Sequence, residues 1–404
     1  MRVFRKITEE KEKKFLERYA IKSFQSRGRT LHHKRVGDEL ESIRTCFQRD
    51  RDRILYSTAF KRLQHKTQVY LTHEGDFYRT RLTHTLEVVQ HAKTFARVFK
   101  INEDLCEAIA MAHDLGHAPF GHAGEEILNE IMGKYEEEFE HNIQGLRIVD
   151  ELEKRYSEYD GLNLCWETRE GIARHTTEYD KPNIPEEFRE SPFPSLETQV
   201  VNISDGLAYC AHDLEDALAA GFFDSYEDLK KLKLDFINRI IDGVIKETKR
   251  KRGNSLIKNR VFVRNLIGYL SNNVIEQTLK NIREFNIRSV DDARNSKCDV
   301  VALSPRIVGQ FKILCDYLLD EVYRSSQVLT MNEKGKMIIK CLFRKFVNEP
   351  RILPKRTLAK YNRARKKDKK RVICDFISGM TDKYAMDFYQ QLFEPYEKVM
   401  GIVH

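Results

Sequence analysis

The sequence predicts an all-α protein, and three observations carry that reading. Apolar residues recur at helical spacing, as in Val88, Ala92, Phe95 and Phe99, or Leu105, Ile109 and Ala112. The apolar–polar alternation that a half-buried strand needs is scarce. Residues that start and stop helices flank the periodic stretches. Asn102 stands where an N-cap belongs, followed by Glu103 and Asp104, carboxylates that suit the positive end of a helix dipole. Gly116 and Pro119 are expected to end that helix, and a new one is expected from near Gly121 through Leu128. Between Tyr179 and Pro194 four prolines, Pro182, Pro185, Pro192 and Pro194, demand a loop. Ser195 is placed to cap the long helix that follows, up to Gly221. Residues 225–290 again read as helical. Pro350, Pro354 and many basic residues make 348–371 an exposed, mobile connection, and the last helices are expected between Val372 and Val399.

The 404 residues suffice for one large domain or two ordinary ones, and with 41% of them hydrophobic a sizeable core is within reach. No run of about 18 apolar residues is present, and Met1 to Lys14 lacks the apolar stretch of a secretory signal. The expectation is a cytoplasmic protein with no membrane partner. Eight cysteines are scattered without a CxxC pair, which in a chain this large reads as reduced thiols, mostly buried. The net charge of +8 is local. One cluster is Lys249, Arg250, Lys251 and Arg252. Another runs from Lys355 through Arg363, Arg365, Lys366, Lys367, Lys369, Lys370 and Arg371. Such clusters are solvated surface or bind nucleic acid or nucleotide phosphates; single-stranded nucleic acid is the partner they suggest.

Histidine placement is the most informative feature. Of thirteen, five fall between positions 84 and 122: His84, His91, His113, His117 and His122. His113 and Asp114 sit side by side at the end of a mostly apolar helix. Burying an imidazole beside a carboxylate is costly unless both have partners, and a divalent cation is one such partner. Neutral imidazole with carboxylate suits Mn²⁺, Fe²⁺, Ni²⁺ or Zn²⁺. Two adjacent ligands are too few. His84, at the start of the preceding helix, and Asp205, on the long helix after the proline-rich loop, complete an H…HD…D pattern, the signature of the HD superfamily. His122 and Glu125 are three apart, hence neighbours on one helical face, an arrangement that suits an acid/base pair or a surface ion pair. Arg81 precedes His84 by three residues, where a guanidinium could clamp phosphate oxygens. Asp205, Tyr209, His212, Asp213 and Asp216 form one polar stripe along the long helix.

The stretches RTRLTHTLEV, AIAMAHDLGHAPFGHAGEEILNE and FEHNIQGLRIV closely resemble the deoxyguanosine triphosphate triphosphohydrolase family of the HD superfamily. So do ISDGLAYCAHDLEDAL, RDRDRILYSTAFKRLQHKTQVY and DFISGMTDKYA. Residues 225–300 match poorly and inherit nothing. The resemblance implies an HD-domain helical core over 44–225, an N-terminal extension over 1–43, and a helical C-terminal region over 226–404 that completes the nucleotide pocket and oligomer contacts. It makes His84, His113, Asp114 and Asp205 the ligands of one divalent transition metal, with Mg²⁺ accompanying the nucleotide. It gives His122 and Glu125 to catalysis at the α-phosphate, and His117 and Arg81 to phosphate contacts. His141, Asn142, Arg174 and His175 become further substrate contacts. Tyr209 would pack under the sugar and collide with a ribose 2′-hydroxyl, Asp213 would bond the 3′-hydroxyl, and Gln68 and Val69 would reach the sugar and base edge. His91 has no counterpart and reads as structural.

The reaction implied is hydrolysis of a deoxynucleoside triphosphate (dNTP) to deoxynucleoside and tripolyphosphate, by a homo-oligomer, with an allosteric dNTP as a further candidate partner. Two alternatives stand beside it: an HD phosphohydrolase acting on another nucleotide or on nucleic-acid ends, and a regulator that binds dNTP or nucleic acid without hydrolysing it. No Walker A sequence, GxGxxG loop or GxSxG elbow is present, so P-loop, dinucleotide and serine-hydrolase readings lack support.

Overall fold

The computed structural model describes residues 2–30, 43–68, 79–177, 182–248 and 255–395. Their regular structure is helical, relieved by three isolated β-bridges. In chain order the helices are α1 (Arg2–Phe15), α2 (Cys46–Leu55), α3 (Thr58–Arg62), α4 (Arg81–Phe99), α5 (Glu103–Ala112) and α6 (Gly121–Gly133). Then follow α7 (His141–Arg147), α8 (Trp166–Ala173), α9 (Leu196–Ala219), α10 (Asp235–Thr248), α11 (Ser255–Glu284) and α12 (Val290–Arg294). The last are α13 (Pro305–Leu318), α14 (Ser326–Asn348), α15 (Lys355–Arg363), α16 (Lys369–Ser378) and α17 (Asp382–Phe393). The chain is therefore all-α, as its periodicity predicts.

Local chemistry explains several boundaries. Asn102 Oδ1 accepts from Leu105 N at 3.1 Å and starts α5. Ser195 Oγ accepts from Thr198 N at 3.3 Å and starts α9. The Glu140 carboxylate accepts from Asn142 N and Ile143 N, at 3.1 and 3.0 Å, to start α7. The structure departs from the sequence expectation after Ala112. There α5 stops, so His113 and Asp114 lie in the turn beyond the helix rather than at its end. Close packing demands that turn: a Cβ on Gly116 would stand 1.9 Å from the His141 carbonyl oxygen and 2.3 Å from Gly145 N, so only glycine fits.

The chain forms two compact units. The first comprises described residues within Met1–Leu55, His84–Ala112 and Leu162–Ser325. At its centre α5 is packed by α2, α8 and α9, and α9 is packed in turn by α11, α12 and α13. Residues 225–290 supply α10 and α11, which pack on each other, in line with their helical reading.

The second unit comprises described residues within Tyr56–Thr83, His113–Gly161 and Ser326–His404. Its core sets Phe120, Ile127, Leu128 and Ile131 against Ile339, Leu342 and Phe346 of α14 and Ile373 and Ile377 of α16. The stretch 348–371, expected to be an exposed connection, instead carries a 3₁₀ turn (Pro350–Ile352) and α15. Leu353 is buried, and Leu358 and Tyr361 pack on that core, which provides the driving force. Pro350 and Pro354 sit at helix starts, where a missing N–H costs nothing. The cluster Lys249–Arg252 and the last residues of the expected final helices, 396–399, lie outside the described residues.

In the first unit Glu197 ties the N-terminal segment down. Its Oε1 accepts from Ile21 N at 2.9 Å and Asn102 N at 3.3 Å. Burial raises this carboxyl to about 7, although those backbone donors and Arg294 pull it down. Between pH 4.5, its ordinary value, and about 7, the folded chain holds a proton that the unfolded chain has lost. Its contribution to stability is complete below 4.5 and is lost as pH rises to about 7. Urea melts at stepped pH should show that decline in the wild type and a flatter profile in Glu197→Gln; superimposable profiles would contradict it.

Candidate active site

Helices α4 and α9 present the first group of polar side chains, within the first unit. His84 is in the first turn of α4, and Asp205 is midway along α9. His84 Nε2 lies 2.8 Å from Asp205 Oδ1, and His175 Nε2 lies 3.2 Å from Asp205 Oδ2. His175 is oriented by Asn202, whose Oδ1 is 2.8 Å from its Nδ1. All three contact partners, His84, His175 and Asp205, are buried. The ring of His212 meets His84 edge-on, with centroids 5.7 Å apart, and His212 pairs with Glu87. The polar stripe on α9 is thus an inward face: Asp205, His212, Asp213 and Asp216 are all buried, and Tyr209 is half-buried.

Farther along the stripe, Tyr209 stacks on Tyr323 at 5.8 Å between ring centroids, with planes 24° apart. The Tyr323 hydroxyl donates to Asp213 Oδ2 at 2.5 Å. Tyr323 ends a π-helical turn (Leu319–Tyr323) that continues α13. A wide turn of this kind re-aims a side chain that α-helical continuation would send elsewhere.

The second group belongs to the second unit and gathers around Asp114. Its Oδ1 accepts from Arg81 Nη1 at 3.0 Å and lies 3.0 Å from His117 Nε2. His113 Nε2 is 3.6 Å from the same oxygen, long for a hydrogen bond. Burial works to raise this carboxyl, but Arg81, His113 and His117 overcome it and hold it well below the usual carboxylate range. Asp114 is therefore ionised although buried. Its other oxygen, Oδ2, is buried with no hydrogen-bond partner among the described residues. A buried, ionised carboxylate oxygen beside imidazoles is a donor set that fits a divalent cation.

His117 is wholly buried, and burial, with Arg81 and His141 adding to it, keeps its imidazole neutral well below the usual pH. It stacks on His141, with centroids 4.0 Å apart and planes 12° apart. Glu125, on the first turns of α6, joins them: Oε1 accepts from His141 N at 2.8 Å and lies 3.0 Å from His141 Nδ1, and Oε2 is 3.6 Å from His117 Nδ1. Burial would raise Glu125, but His141 and then His117 and His122 hold it below the ordinary value. His117, Glu125 and His141 form a second set of converging donors with metal-ligand chemistry. His122 is exposed at the start of α6, its ring edge-on to His117 at 5.6 Å.

Measured against the sequence reading, Glu125 keeps its place beside histidines, but its hydrogen bond goes to His141 rather than along its own helix to His122. Asn142 is buried beside His141. Gln68 is half-buried, and Val69 lies outside the described residues. The Arg174 guanidinium braces the neighbouring loop, donating to Ser191 Oγ at 3.1 Å and the Pro192 carbonyl at 2.8 Å. Sequence patterns single out neither Tyr323 nor Lys66. Tyr323 lies in a stretch whose pattern marks it only as helical. Lys66 falls inside the stretch KTQVY, whose family resemblance is the one sequence signal that points to it.

An HD domain model matches residues 81–210, and a phosphohydrolase-associated domain model matches 301–391. A protein of Syntrophus aciditrophicus named deoxyguanosinetriphosphate triphosphohydrolase-like is 54% identical, covering 98% of both chains. Proteins of the same name from Geobacter sulfurreducens and an Azoarcus species are 40% and 42% identical, each over 94% of this chain and 96% of their own. No helix among the described residues is long and apolar enough to cross a membrane. Full-length identity at this level, together with the matched HD core, means that the chain belongs to the deoxyguanosinetriphosphate triphosphohydrolase-like family of HD-domain proteins.

Proposed function

We propose that the chain hydrolyses deoxynucleoside triphosphates, dGTP or dNTPs more broadly, to deoxynucleoside and tripolyphosphate. The observation that carries this reading is the ionised, buried Asp114 held between Arg81 and His117, in a chain of this family. His84, His113, Asp114 and Asp205 are the proposed ligands of one divalent cation. Such an ion supplies Lewis-acid polarisation of a phosphoryl oxygen and a nucleophile at neutral pH. The triphosphate is gripped by Arg81, whose Nη1 is taken by Asp114 while its Nε has no partner among the described residues, and by His117.

Water adds to the α-phosphorus as the bond to the 5′-oxygen breaks, and that oxygen must gain a proton to leave as a hydroxyl. His122, the exposed member of the histidine group, delivers it. Glu125, held ionised chiefly by His141, lies on the same helix one turn after His122. Tyr209, stacked on Tyr323, forms the floor beneath C2′, and Asp213, fixed by the Tyr323 hydroxyl, reads the 3′-hydroxyl. A candidate place for a second, effector nucleotide is a cavity of about 780 Å³ in the second unit, whose lining mixes Arg62, Arg147, Lys154, Lys360 and Arg363 with Glu151, Glu153, Asp160 and Asp375.

Product analysis tests the reading. Incubated with Mn²⁺ and each of dGTP, GTP and single-stranded DNA, the protein should release tripolyphosphate and deoxyguanosine from dGTP, and do so far faster than the matching products from GTP. Equal rates on dGTP and GTP would make another nucleotide the substrate. Cleavage of DNA ends alone would make it a nucleic-acid phosphohydrolase, and binding without turnover a regulator. His122→Ala should keep its nucleotide affinity and lose roughly 10²–10⁴-fold in kcat, the range for a general acid. A near wild-type kcat in that variant would remove His122 from the chemistry.

A further inference from the structure

Lys66 is a charged group that the proposed chemistry does not use. Its side chain is 2% exposed, and its ammonium donates to two carbonyl oxygens, that of His117 and, at 3.1 Å, that of Ser378. Withdrawing an ammonium from water is unfavourable, so such a group is retained where its bonds hold something in place. Burial lowers its ordinary value to about 7; Asp382 opposes that fall, Arg62 and Arg81 deepen it, and Asp114 opposes it.

Asp382 is the counterpart. It is 2% exposed, its Oδ2 accepts from Thr67 N at 2.7 Å and from the Thr67 hydroxyl, and its Oδ1 accepts from Phe120 N at 2.9 Å. Phe120 has φ 64°, the left-handed region, which a bulky side chain adopts only when its surroundings impose it. Its ring packs so closely on α14 that a Cβ at Gly335 would lie 2.8 Å from it. The loop from His117 to Phe120 is therefore held at both ends, by Lys66 on the first residue's carbonyl and by Asp382 on the last residue's N–H.

We propose that Lys66 and Asp382 are positioning residues: together they clamp the loop 117–120 and so aim His117 at one of its ends and His122, two residues past the other. Asp382 and Ser378 lie within the stretch matched by the phosphohydrolase-associated domain, so the clamp is how that region acts on the histidine loop. The catalytic consequence rests on the function proposed above; the mechanical one does not.

Hydrogen–deuterium exchange and steady-state kinetics on the full-length chain separate the two. In Lys66→Met and in Asp382→Asn, amides of the peptide covering His113–His122 should exchange at least about tenfold faster than in wild type, while peptides from Ser326–Asn348 are unchanged. With Mn²⁺ and dGTP, kcat/KM should fall by about tenfold or more, through kcat as His122 is mis-aimed and through KM as His117 loses its hold on the triphosphate. Unchanged exchange of the loop peptide in a folded variant overturns the clamp. Equal acceleration across both peptides does so too, since it marks general loosening. If Lys66→Met does not fold, Asp382→Asn decides by the same criteria. If wild type hydrolyses no dNTP, the proposed function fails, and the exchange result still decides the clamp.

Discussion

Asp114 is buried yet held ionised, and the contacts around it in the second unit answer that requirement. A lone buried carboxylate would take up a proton. Here Arg81 supplies the compensating charge, and His117, kept neutral, can offer a hydrogen bond to the same oxygen without adding a full charge. Each compensator needs a fixed place. Arg81 opens α4, and its backbone N–H donates to the Lys66 carbonyl at 3.1 Å. His117 is stacked on His141, and His141 is tethered twice to Glu125. Glycine at 116 lets the turn after α5 approach α7 closely enough for these contacts to form.

The first unit meets a related constraint on α9. That helix is long enough to place Asp205 beside His84 and, one and two turns later, Tyr209 and Asp213 beside Tyr323. Nearly every polar residue of the stripe has a partner on another element. That separates it from a solvated face: a stripe facing water needs no such pairing. His175 and Asn202 continue the chain of bonds behind Asp205, which fixes the carboxylate's orientation.

Much of this was readable in the sequence because it is written in local rules. Asn102 and Ser195 cap the helices they were expected to cap, and helical spacing locates α4, α5 and α9 to within a few residues. The histidine and aspartate identities carried the family resemblance, which the full-length relatives bear out. What was not readable depends on distant contacts. The connection at 348–371 reads as loop because prolines and basic residues dominate it, whereas burial of Leu353 and packing of Leu358 and Tyr361 turn part of it into helix. Glu125 has a histidine three residues before it in sequence, yet bonds one sixteen residues after it, which no spacing rule foretells. Tyr323 owes its place to a wide helical turn, and Lys66 to two carbonyls, one of them more than three hundred residues away.

His84, His113, Asp114 and Asp205 are proposed to hold one divalent ion. Anomalous diffraction from crystals of the Mn²⁺-loaded protein tests it most directly. A single strong peak per chain is expected within about 2.0–2.3 Å of donor atoms from those four residues. A peak at His117, Glu125 and His141 instead, or none near Asp114, would contradict it.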